Sequence, residues 1–422
     1  MTTTRQNSEY IMSITIIGIL FFIFGFVTWV NGTLIPYLKI ACELESDFQS
    51  YLVATAFFIA YTVMALPSSL VLEKTGYKKG MSVGLFIMAI GAALFIPAAQ
   101  ARNYNLFLIG LFIIGTGLAL LQTASNPYVS IIGPIESAAS RISIMGICNK
   151  VAGIIAGLVF GYIALSDADG IEARLKAMDA LTRAAELDAL AARVIVPYAI
   201  ITIVLIFLAV GILFSPLPDI KEENGGQTTD SGTGKTSVLQ FPHLLLGVLA
   251  IFCYVGVEVM AGDTIISYGK SLGIELSVAR YFTQATLACM LIGYVVGIAA
   301  IPKYLSQEKA LKISAIIGVV FTVLAVLTTK YVSVAGIALL GLANALMWPA
   351  IFPLAIEGLG KFTKTGSALL IMGIAGGAIL PLVYGKLSEV ESIGTQQAYW
   401  LMVPCYLYIL YYSMKGHRAG RA

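Results

Sequence analysis

Apolar runs long enough to cross a lipid bilayer recur from one end of this chain to the other, and no other feature limits its fold as severely. A hydrocarbon core about 30 Å thick is crossed by about 20 helical residues rising about 1.5 Å each. Twelve such spans can be read, at roughly 11–38, 50–72, 80–98, 105–130, 142–165, 194–215, 243–268, 278–300, 309–329, 332–356, 366–386 and 396–413. Within a bilayer every backbone N–H and C=O must be bonded inside the protein, which makes spans of this length helical. The sequence therefore predicts an all-α integral membrane protein of twelve transmembrane helices. Composition agrees: 58% of the 422 residues are hydrophobic and only 12% are charged, against about a quarter charged in soluble domains. The net charge of +3, with no basic stripe, gives no reason to expect a nucleic-acid partner.

Charge distribution sets the expected orientation. Of the 26 Lys and Arg, the larger share lies on the side of the two termini, including Arg5, Lys74, Lys78, Lys79, Lys309, Lys312, Lys361, Lys364, Lys415, Arg418 and Arg421. Both termini are therefore expected in the cytoplasm. The apolar run from Ile11 lacks a small-residue cleavage site and reads as a first helix rather than a signal peptide. Residues 216–241 are polar and rich in Gly, Ser and Thr, as a flexible linker would be. That divides the chain into a six-helix half at 1–215 and another at 242–422. Within the linker, Gly234-Lys235-Thr236 resembles the end of a phosphate-binding loop, but Thr229 stands where the motif needs Gly and no strand precedes it. Residues 166–193 alternate Ala and Leu with charged residues and predict an amphipathic surface helix. Five scattered cysteines form no disulfide framework and two isolated histidines form no metal set. With no nucleophile–base set either, an enzyme is not expected, and no cofactor is implied.

The halves carry a faint repeat. Ile144-Met145-Gly146-Ile147 in helix 5 matches Ile371-Met372-Gly373-Ile374 in helix 11, and the preceding helices contain Pro127 and Pro349. Duplicated halves place a substrate site near the midplane between them. Charges at that depth cost about 2.5–3.5 kcal/mol on insertion scales, so each calls for a reason. Lys150 lies about 13 Å into helix 5, Glu258 is mid-span in helix 7, and Asp263 follows toward the other face. These three are expected to line an aqueous cavity, with Glu258 and Asp263 as ion-coupling groups; the plain alternatives are a static ion pair and, for Asp263, a residue snorkelling to the interface. A Na+ ion near Glu258 is one option for the coupling ion. Mid-span amides offer both donors and acceptors to hydroxyls: Asn31, Gln122, Asn126, Asn149, Gln284 and Asn344. Trp29 and Trp348 sit at similar depths and suit stacking on a sugar face. Each of these residues also has a plain alternative as a helix–helix contact.

At these positions the chain resembles the fucose–proton symporter family of the major facilitator superfamily. The carrying stretches are Asn31-Gly32-Thr33-Leu34-Ile35-Pro36, Gln122-Thr123-Ala124-Ser125-Asn126-Pro127-Tyr128, Phe252-Cys253-Tyr254-Val255-Gly256 and Gly373-Ile374-Ala375-Gly376-Gly377. Glu73-Lys74-Thr75-Gly76-Tyr77-Lys78-Lys79-Gly80 looks like a degenerate form of the superfamily's loop motif between helices 2 and 3. The resemblance implies a sugar carrier of the bacterial inner membrane, driven by H+ or Na+ through alternating access, and twelve spans in two halves suffice for a monomeric carrier. It differs at two positions. Proton-coupled fucose carriers have an aspartate where this chain has Gly32 and a glutamate where it has Gln122; glucose/galactose members resemble this chain in having Gln, and Na+ coupling occurs among such relatives. Glu258 and Asp263 are then the candidates to replace the missing carboxylates. An uncoupled facilitator, or a carrier of a sugar acid drawn to Lys150, is the alternative.

Overall fold

The computed structural model describes residues 2–131, 138–165, 167–215, 217, 236–301 and 304–421. Most of the expected linker, including Gly234 and Lys235, lies outside the described residues. Ten helices among those described are long and apolar enough to cross a membrane. One of them, Asp47–Gln100, has 54 residues, enough for two crossings, and turns at Gly76 with φ 73° and ψ 173°. That backbone conformation favours glycine because it has no Cβ. Helices 2 and 3, expected as separate spans, are thus the two arms of one corner, and the loop motif is that corner. A 3-10 turn at Ala398–Leu401 running into Met402–Met414 makes the last crossing. The twelve-helix expectation holds.

In chain order, helix 1 is Thr2–Trp29 continued by Asn31–Ala41, helix 4 is Tyr104–Ile131, helix 5 is Ala138–Leu165 and helix 6 is Ile195–Phe214. Helix 7 is Pro242–Asp263, helix 8 is Phe282–Ala300, helix 9 is Gln307–Leu327 and helix 10 is Lys330–Asn344 continued by Met347–Ile356. Helix 11 is Thr363–Met372 and Gly376–Ser388, joined by a 3-10 turn at Gly373–Ala375. The surface segment is two helices, Ala168–Ala177 and Ala180–Ala192, rather than one. Asp179 is the reason: its carboxylate accepts the N–H groups of Leu181 and Thr182, starting a new helix.

Exposed apolar side chains such as Ile90, Ile203 and Phe207 give the bundle the lipid-facing surface its composition requires. Without a hydrophobic force between helices in lipid, close approach at small residues holds them together. A Cβ on Gly25 of helix 1 would collide with the Asn149 carbonyl of helix 5, and one on Gly376 of helix 11 would collide with the Phe252 carbonyl of helix 7. In the register that pairs Ile144 with Ile371, Gly25 pairs with Phe252 and Asn149 with Gly376. The duplication is therefore preserved at one helix crossing per half, with the glycine on opposite partners. Among the described residues, helices 1, 10 and 11 lose regular α geometry within their spans, at Val30, Ala345–Leu346 and Gly373–Ala375, and the helical run is interrupted at Thr264, where helix 7 ends. Irregular backbone at membrane depth persists where it is enclosed by protein or lines a cavity.

Candidate functional site

A cavity of about 170 Å³ lies between the halves. Helices 1, 2, 4 and 5 contribute Phe21, Phe24, Thr28, Trp29, Phe58, Tyr61, Gln122, Asn126, Ile142, Gly146, Asn149 and Lys150. Helices 7, 8, 10 and 11 contribute Tyr254, Val255, Glu258, Val259, Asp263, Tyr294, Trp348, Pro349 and Ile374. The close contact at Gly25 sets helix 5 against helix 1, and so brings Asn149 and Lys150 to the cavity wall.

Lys150 Nζ lies 3.0 Å from Glu258 Oε1, both side chains being buried. It also lies 4.1 Å from the centre of the Trp29 ring. Trp29 Nε1 donates to Asn149 Oδ1 at 3.2 Å, which fixes the indole plane beneath the ammonium. A cation over an indole face adds about 0.5–2 kcal/mol, more as water is excluded. Gln122 Nε2 donates to Tyr61 Oη at 3.0 Å. Trp348 stacks on Phe352 with centroids 5.6 Å apart, and its ring lies 6.4 Å from that of Tyr254, also on the cavity wall. The polar wall is therefore a bridge between halves, helix 5 to helix 7, flanked by amides and two indoles.

Eight of the sequence-derived positions share this cavity: Trp29, Gln122, Asn126, Asn149, Lys150, Glu258, Asp263 and Trp348. Three do not. Asn31 is wholly buried just past the break in helix 1, and neither amide atom has a partner among the described residues. Gln284 packs against Gly157 of helix 5, where a Cβ would collide with its amide nitrogen. Asn344 accepts a 2.9 Å hydrogen bond from Tyr406, a link within the second half. Sequence reasoning missed Tyr61, Tyr254 and Tyr294. For Tyr254 there was a signal, since it stands one turn before Glu258 and shares its helix face. Tyr61 and Tyr294 had none, because tyrosine is common in apolar spans.

Beside Glu258 Oε1, where the sequence allows a Na+ ion, stands the ammonium of Lys150. Among the described residues no group of three or more His, Cys, Asp or Glu could hold a metal.

The two halves meet on the face opposite the termini. Thr55 Oγ1 donates to the Ala378 carbonyl at 2.7 Å, the Phe48 N–H donates to Glu389 Oε1 at 2.9 Å, and Arg280 donates to the Gly161 carbonyl at 3.3 Å. The Tyr51 and Tyr384 rings pack edge to face 5.6 Å apart. Toward the termini the cavity wall ends in partly exposed Phe21, Ile142 and Gly146. This conformation is closed on the face opposite the termini.

The chain matches the family model "Major Facilitator Superfamily" over residues 17–384. It is 36% identical over 421 residues to a glucose/galactose transporter of Brucella abortus, covering 99% of this chain and 97% of that one. To the L-fucose-proton symporter of Escherichia coli it is 31% identical over 390 residues, covering 91% and 88%. The crystal structure of the E. coli fucose:proton symporter superimposes with a TM-score of 0.73 at 29% identity, covering 96% of this chain and 98% of that one. A D-xylose-proton symporter shares the fold at a TM-score of 0.68 and 18% identity. The relatives are named as transporters and not as enzymes. The chain is a multi-pass membrane protein that belongs to the major facilitator superfamily and, within it, to the family of the fucose–proton symporters.

Proposed function

We propose that this protein carries a monosaccharide, a hexose or amino sugar, across the bacterial inner membrane together with a monovalent cation, with both termini in the cytoplasm. The observation that carries this reading is the cavity between the halves. It is lined by two indoles and three amides around the Lys150–Glu258 bridge. Sugar rings have an apolar face that stacks on aromatics and a rim of hydroxyls that pair with amides. The names of the relatives, glucose/galactose and L-fucose carriers, support the same class.

Transport follows from the packing. Closure at Phe48–Glu389 and Thr55–Ala378 is on one face, so rocking the halves about the cavity would open that face and close the other. Lys150 and Glu258 belong to different halves, and their pairing is sensitive to that rocking. The experiment is uptake into proteoliposomes of glucose, galactose, mannose, fucose, N-acetylglucosamine and one sugar acid. Each is tested with a pH gradient, a Na+ gradient and neither. Counterflow of at least one neutral sugar is expected; flux of none of them defeats the reading. A facilitator without ion coupling is the second reading, favoured by the internal neutralisation of Glu258 by Lys150. Equilibrative flux indifferent to both gradients would select it, and preference for the sugar acid would assign Lys150 to an anionic substrate.

A further inference from the structure

The ionisable groups at the cavity do not sum to zero. Lys150 is balanced by Glu258 at 3.0 Å. Asp263 follows Glu258 by about 7.5 Å along helix 7. It is 1% exposed, and neither of its carboxylate oxygens has a hydrogen-bond partner among the described residues. The charged and titratable groups near enough to act on it are Lys150 of helix 5, Glu258 on its own helix and the Tyr51 phenol of helix 2. The ammonium is already engaged, so the set carries one uncompensated negative charge at membrane depth, where such a charge is expensive.

Helix 1 adds a second observation. A Cβ on Gly32 would lie 3.1 Å from the Gly262 carbonyl oxygen and 3.4 Å from Asp263 Cα, so the Asn31–Thr33 segment packs directly on the end of helix 7. In that segment the Asn31 amide and the Thr33 hydroxyl are buried and have no partner among the described residues. These oxygens lie on the helix 1 segment that packs on the turn bearing Asp263, and Asp263 itself lines the cavity.

We infer that Asp263 holds one monovalent cation, H+ or Na+, carried with each sugar, while Lys150–Glu258 is a neutral pair that does not exchange it. This rests on the carrier reading. With the cation bound the set is neutral; without it the charge is −1, so each neutral sugar moves with one positive charge.

The test uses the full chain in proteoliposomes under an inside-negative potential of about 100 mV, with a proton gradient, a Na+ gradient or neither. One charge at that potential supports accumulation of about 50-fold. Sugar addition should evoke an inward current of one charge per sugar, and the gradient that drives accumulation names the ion. Asp263→Asn should abolish current and accumulation while reducing counterflow far less. Asp263→Glu should restore both, which also controls for misfolding of the amide variant. Accumulation by Asp263→Asn under the same gradient, or net sugar uptake by the wild type without current, overturns the inference and leaves the carrier reading standing. Absence of flux for every sugar would strike the carrier reading instead.

Discussion

Lys150 and Glu258 make the clearest energetic case in the molecule. Removing one member of a buried pair leaves a bare charge, at a cost of about 3–5 kcal/mol. Lys150→Met should therefore lower the melting temperature of the detergent-purified protein sharply. Lys150→Met with Glu258→Gln should recover most of that loss, because the second change removes the orphaned charge. A double variant as unstable as the sum of its singles would show that the two side chains are not coupled. Trp29 supports the pair from below. Trp29→Phe deletes the donor to Asn149 and weakens the ring face under the ammonium. The half-saturating sugar concentration in counterflow should rise about tenfold, equivalent to about 1.4 kcal/mol. The residue types at the site were legible in the sequence, since charges and amides stand out in apolar spans. Their partners were not. Asn344 and Gln284 look the same as Asn149 in sequence, yet helix rotation turns them to Tyr406 and Gly157 instead of the cavity.

Among the helices, length and hydrophobicity were legible and irregularity was not. An 18- to 28-residue apolar run announces a crossing, but the breaks at Val30 and Ala345–Leu346 follow from how helices 1 and 10 bend around the cavity. Both tryptophans of the site stand beside such breaks. The close crossings allow little freedom. Gly25→Val or Gly376→Val would drive a side chain into a backbone carbonyl, which cannot swing aside as a side-chain tip can. Each should destabilise by about 1–3 kcal/mol, read as a lowered melting temperature. Ala at the neighbouring exposed position Ile19 should leave it nearly unchanged. Equal melting temperatures for wild type and both valine variants would mean that the crossings are looser than described.

At the scale of the whole molecule, the two halves are held on one face by a charge meeting a helix end. Glu389, just beyond helix 11, accepts the Phe48 N–H in the first turn of helix 2, where the helix dipole favours an anion. That hydrogen bond, then Lys386, holds the Glu389 carboxyl below the usual glutamate range. A depressed value means that the contact is fully formed above the ordinary carboxylate range and weakens only as pH falls through the lowered one. Closure should therefore be insensitive to pH near neutrality and loosen in acid. Glu389→Gln should loosen it at pH 7 by about 1 kcal/mol, about fivefold in the open-to-closed ratio. Labelling of Thr55→Cys by an impermeant maleimide should accelerate accordingly, and an unchanged labelling rate would remove Glu389 from the closure. From the sequence alone came the number of crossings, the membrane setting, the duplicated halves and the identity of the few polar groups inside them. Those follow from transfer energies, which each segment carries with it wherever it packs. Only the tertiary structure decided that Lys150 meets Glu258 across 108 residues, that Asp263 has no partner among the described residues, and which face is closed. Pairing depends on the crossings at Gly25 and Gly376 and on where helices bend, and these are properties of packed surfaces rather than of any one span.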